Sequence, residues 1–166
     1  VTGVQTCALP ISLLYPGDAK AIYKNTGYDF RNYRKLQMFV HAEAMQPDTR
    51  DLEDGDLSIF IRLGTDARYN YYEYEIPLKL TAPGVYSSDN ENDRLRVWPA
   101  ENMIDVPFET LSRAKVSRNK AKRAGTTGVS NTLPYVVYDD ENGKPGNKIT
   151  ILGNPTIEDV SVIMIG

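Results

Sequence analysis

The sequence predicts a mainly β domain, an antiparallel β-sandwich with one short helix, and three observations predict it. Short runs rich in β-branched and aromatic residues recur along the chain, separated by clusters of Gly, Pro, Asn and Asp that punctuate hairpins. Among 166 residues there are 11 Tyr, 12 Gly and 10 Pro, so strand formers and turn formers are both abundant. Residues 70–80 (NYYEYEIPLKL) alternate throughout, with Tyr72, Tyr74, Ile76, Leu78 and Leu80 on one face and Tyr71, Glu73, Glu75, Pro77 and Lys79 on the other. The length fits one domain with a core of its own.

Taken in order, residues 1–11 (VTGVQTCALPI) read as an in-frame translation of a sequencing-library adapter, and are set aside from the fold as any scar would be. That removes Cys7, the single cysteine, and leaves no thiol or disulfide chemistry. Residues 12–166 form the expected domain, and the apolar run 160–165 just before the last residue suggests the middle of something longer, cut at both ends. Residues 19–24 are a candidate strand before the turn signal Asn25-Thr26-Gly27, and 29–34 suit one helical turn capped by Asp29. In 35–44 (KLQMFVHAEA), Leu36, Met38 and Val40 alternate with Gln37, Phe39 and His41. Because Phe39 makes the second face apolar too, a central strand is expected there.

An acidic loop over 46–56 leads to a strand at 57–63 (LSIFIRL), which turns at 64–69 and pairs with 70–80. Pro77 cannot donate to a ladder and points to an edge or a bulge. Residues 81–94 read as a loop and 96–98 as a short strand. The one helix is placed within 106–122, where Phe108, Leu111 and Lys115 fall at helical spacing and six basic residues follow from Arg113 to Arg123. Residues 124–131 form a link, then 134–138 and 148–152 are strands around a turn containing Asn142-Gly143 and Pro145-Gly146.

Charge and motifs exclude more than they assign. A net charge of −3 and the absence of aromatics within the basic run argue against nucleic acid. No apolar run reaches the ~18–20 residues of a membrane helix. The single histidine, His41, has no adjacent nucleophile, no His/Cys cluster suggests zinc, and no Gly-rich phosphate loop is present. Asp48, Asp51, Glu53, Asp54 and Asp56 crowd one loop. Oxygen ligands at that density suit Ca²⁺, so Asp51, Glu53, Asp54 and Asp56 are candidate ligands of a structural calcium, with a solvated acidic turn as the alternative. Glu73 and Glu75 lie two apart on one strand face, roughly 7 Å from each other, and read as a solvated surface rather than a catalytic pair. Tyr69, Tyr71 and Trp98 are the candidate contact residues, since exposed rings stack on sugars or anchor proteins; Tyr72 and Tyr74 are assigned to the core.

Four phrases, YRKLQMFVHAEA (33–44), IFIRLGTDARYNYYEYEIPLKL (59–80), VWPAENMIDV (97–106) and NKITILGNPTIEDVSVIMIG (147–166), together resemble the SprA family. Those are the gliding-motility cell-surface proteins of Bacteroidetes that serve as outer-membrane translocons of type IX secretion. The resemblance implies a soluble extramembrane domain of a membrane-embedded parent, at the cell outer membrane and surface, with a structural and interaction role and no catalysis. Its implied partners are other translocon components and secreted cargo proteins; the residues themselves point to no nucleic acid and to no cofactor beyond the calcium of the acidic loop. The order of strands is also similar to galactose-binding-like jelly rolls. The rival reading is therefore a carbohydrate-binding module of a secreted glycoside hydrolase, with Tyr69, Tyr71 or Trp98 stacking on sugar.

Overall fold

The computed structural model describes residues 17–44 and 52–166. Within them the fold is mainly β: eight strands in two antiparallel sheets, with two α-helices. The strands are β1 (Ile22–Tyr28), β2 (Lys35–Phe39), β3 (Ser58–Gly64), β4 (Tyr71–Pro77), β5 (Met103–Pro107), β6 (Tyr135–Asp139), β7 (Lys144–Leu152) and β8 (Val160–Ile165). The helices are α1 (Glu91–Val97) and α2 (Phe108–Arg123). Six strands form one sheet in the order β1-β8-β3-β4-β7-β6, and β2 pairs with β5 in a separate ribbon.

The alternation read in 70–80 decides the register. Tyr72, Tyr74 and Ile76 lie opposite Leu63, Ile61 and Ile59 of β3, while Ile151 and Ile149 of β7 flank Tyr72 and Tyr74 from the other side. These side chains share one core with Ile104 and Val106 of β5 and with Phe108, Leu111 and Ala114 of α2. The ribbon and α2 therefore form the layer that covers one face of the large sheet. Eight strands divided six and two leave that layer short of strands, and α2 supplies the remainder.

Several expectations are corrected. The helix begins at Phe108, because residues 103–107 are taken by β5, and it runs a full 16 residues. Its core stripe is Phe108, Leu111, Ala114 and Arg118, and the arginine is completely buried. A second helix, α1, stands where a loop and a short strand were expected. Asn90 caps it, its Oδ1 accepting from the N–H groups of Asn92 and Asp93. Since α1 buries no residue, it carries no apolar period to read. The strand at 35–39 is not central: it pairs with β5 alone, and Phe39 packs edge-on against Trp98 with ring centroids 6.4 Å apart. Asn25-Thr26-Gly27 is not a turn but an irregularity within β1, where the register with β8 shifts. Pro77 ends interior strand β4 opposite Ser58; pairing on the β3 side continues past it through the Leu78 N–H, which donates to the Leu57 carbonyl at 2.8 Å, while the ladder with β7 has already ended at Glu75. The segment 29–34 forms a turn around Phe30, which stacks on Phe108 at 4.9 Å.

Candidate functional site

The second face of the large sheet has no described layer over it, and its side chains are set by the register. One row crosses all six strands: Tyr23, Met164, Arg62, Glu73, Thr150 and Val136, each opposite the next. At its centre the Arg62 Nε donates to Glu73, and Arg62 also donates to the carbonyl of Ala67 at 3.0 Å. The guanidinium lies 4.4 Å from the Tyr71 ring centroid and 4.9 Å from that of Phe60, a cation–π sandwich. Beside it Lys148 and Glu75 form an ion pair at 2.8 Å, and the hydrogen bond that the lysine donates to Glu75 raises it above its ordinary value.

This geometry relocates several expected residues. Glu73 is only 8% exposed and bound to Arg62, so it is not part of a solvated carboxylate pair. Tyr71 is 7% exposed and Arg62 covers its ring, so it offers no face for stacking; burial pushes its phenol up. Tyr69 is 69% exposed and Trp98 42% exposed, but they sit beyond opposite ends of β4. Tyr69 belongs to the β3–β4 turn, whereas Trp98 ends α1 beside His41, with ring centroids 5.8 Å apart. Tyr28 and Tyr33 gather around Phe30 instead. His41 Nδ1 lies 3.0 Å from the Val97 carbonyl and its Nε2 3.3 Å from Glu43, linking the end of β2 to α1.

The β3–β4 turn is organised by Asp66, which the sequence reading passed over. Its Oδ1 accepts from the N–H groups of Arg68, Tyr69 and Asn70, and its Oδ2 from the Asn70 side chain at 3.0 Å. Burial alone would raise this carboxyl; the Asn70 side chain and the three backbone donors outweigh it and hold the group at about 2. The signal was available: an Asp just after Gly64, with Asn70 beyond, is Asx-turn chemistry.

Of the proposed calcium ligands, Asp51 lies outside the described residues. Asp56 accepts from the Glu53 N–H at 2.9 Å as a local cap, and Asp54 accepts from the Leu80 N–H, 26 residues away, at 2.8 Å, so both carboxylates are bonded to backbone. Among the described residues no group of three His, Cys, Asp or Glu is gathered to hold a metal ion.

Of two cations that α2 turns towards the β7–β8 connection, Lys115 was read at helical spacing with Phe108 and Leu111, and Arg118 was missed. Arg118 donates to the Gly153 carbonyl at 2.6 Å and to Asn119, with its Nε unbonded and no ion pair to a carboxylate among the described residues. Lys115 donates to the Pro155 carbonyl at 2.6 Å, which also accepts from Tyr72. Burial lowers both cations and pushes Tyr72 up to about 12. Together they fasten the β7–β8 connection to α2.

No helix among the described residues is long and apolar enough to cross a membrane, which says nothing of β-barrels. The sequence model of a family described as motility related/secretion protein matches residues 4–166, into the segment read as adapter. No curated protein matches the chain.

Proposed function

Since the chain belongs to the SprA_N family of motility related/secretion proteins, we propose that it is an extramembrane domain of an outer-membrane translocon for type IX secretion and gliding motility. The family match carries the reading. The domain acts passively, as a rigid β structure beside a large pore that offers contacts to other translocon components and to secreted cargo. Its exposed sheet face supports that role. The interior of the face is neutralised by Arg62–Glu73 and Lys148–Glu75, while Tyr23, Val136 and Tyr138 stand exposed at its margins, a mixture suited to a protein contact. No catalysis is proposed.

Deleting the domain from the gene in its source bacterium tests the reading. Secreted protein in the medium and colony spreading should both fall while the rest of the parent still reaches the outer membrane. Unchanged secretion and spreading would sink it. The carbohydrate-binding alternative draws less support, because Tyr71 is covered and Tyr69 and Trp98 stand far apart. Insoluble polysaccharides should not retain the domain; retention abolished by Trp98→Ala would favour that alternative instead.

A further inference from the structure

Among the described residues the large sheet has two edges with no strand beyond them, and they differ in how they are built. At one edge β1 carries Lys24, Asn25 and Thr26, an irregular register with β8, and a Thr26 hydroxyl bonded to the Val160 carbonyl at 2.6 Å. Charge, bulging and polar side chains are the devices by which natural edges resist pairing with another chain. β6, the other edge, reads YVVYD; its first four residues are uncharged and pair with β7 in regular register, which shifts only at Asp139. Val136 and Tyr138 point to the outer face, 47% and 57% exposed, while Asp139 is turned inward onto Tyr74. Among the described residues no backbone group pairs with its outer side.

On the core side of this edge, α2 runs alongside β6 in the opposite sense. Ser117 meets Tyr135 at 3.2 Å near one end, and Thr110 meets Asn142 at 3.0 Å just past the other. Helical spacing puts Arg113 and Lys120 on the shoulder of α2 next to Ser117. Arg113 is held at 2.9 Å by exposed Glu141, and Lys120 has no partner among the described residues. A strand added beyond β6 would run about 4.8 Å away. Its side chains would alternate between the apolar margin at Val136 and Tyr138 and the cationic shoulder of α2.

We propose that β6 is a docking edge for an extended segment of a partner protein, added as a seventh strand and alternating apolar with acidic residues. Backbone pairing supplies the affinity, as in other strand additions, and the α2 cations select for acid by charge complementarity. Carboxylates of the incoming segment take the place of Glu141 on Arg113 and engage Lys120. The proposal deepens the interaction role put forward above and rests on it for the kind of partner. Deletion and secretion test that role, whereas amide protection tests β6, so the two can fail separately.

The experiment uses the whole 166-residue chain and capped octapeptides alternating Glu with Val or Lys with Val. Hydrogen exchange should show fast amides on the outer side of 135–139 in the free monomer, protected by the Glu/Val peptide. The Lys/Val peptide should bind at least tenfold more weakly, and added salt should weaken the Glu/Val complex. Arg113→Glu combined with Lys120→Glu, both on an exposed helix shoulder, should reverse the preference without loss of fold. Four results would overturn the proposal: equal binding of both peptides, protection at β1 instead, β6 amides already protected in the free monomer, or protection that appears only as the chain dimerises.

Discussion

Asp66 and Arg118 show two ways in which one side chain fixes a loop. Asp66 binds protons less readily in the folded chain than in the unfolded one, where an Asp titrates near ~3.9. Its contribution is therefore whole above about pH 4 and is lost as pH falls towards about 2. Asp66→Ala should cost roughly 1–3 kcal/mol at neutral pH, and the gap from wild type should narrow as urea denaturation is repeated down to pH 2. Arg118 holds the Gly153 carbonyl from a fully buried position. Arg118→Ala should cost roughly 2–4 kcal/mol, from a cavity and an unpaired carbonyl. Arg118→Met should recover more than half of that, since the buried guanidinium has no counter-charge to lose; thermal denaturation of both variants checks the ranking. Sequence reasoning counted Arg118 with the solvated basic run because arginine is so seldom fully buried. Only its spacing from Phe108, Leu111 and Ala114 betrayed its place.

Among the elements, those with strong alternation were legible and those held by side-chain bonds were not. β3, β6 and β8 came within a residue of their expected limits, because one face of each enters the core; β4 began within one residue of its expected start and stopped three short of its expected end. The β2–β5 ribbon is different: a polar residue ties it to the large sheet. Asn102, fully buried, accepts from the Lys79 N–H at 2.7 Å and donates to the Lys79 carbonyl at 2.8 Å, in the manner of a strand neighbour. Its own carbonyl accepts from Val40. Asn102→Ala would strand two backbone groups of Lys79, and about 1–3 kcal/mol is expected for each left unpaired. Exchange of ribbon amides should quicken before that of β3 and β4. If the ribbon and the large sheet lose protection together, the tie is not local. Nothing in the sequence marks Asn102, since its partner is a backbone 23 residues away.

For the molecule as a whole, periodicity and turn residues were enough for the antiparallel β class, and the four ordered phrases were enough for the family. They could not give the strand order. Sequence neighbours pair only at β3–β4 and β6–β7 within the large sheet, while β8 lies between β1 and β3. The candidate contact residues were read less well. Exposure of Tyr69 followed from its place in the 64–69 turn, whereas Trp98, read into a short strand, caps α1; the cover over Tyr71 depends on Arg62 from the neighbouring strand, and alternation alone does not show cross-strand partners.

The placing of β8 also sets a clock. Thr26 and its partner Val160 are 134 residues apart. At roughly 5–20 residues per second a ribosome needs about 7–27 s to pass from one to the other. Throughout that interval β1 lacks β8, its one neighbour among the described residues, and the Ile61–Leu63 edge of β3 stands open, although the β3–β4 hairpin can already form. A holding factor that binds bare strand edges would have its opportunity then, and would be dismissed when β8 slides into the gap.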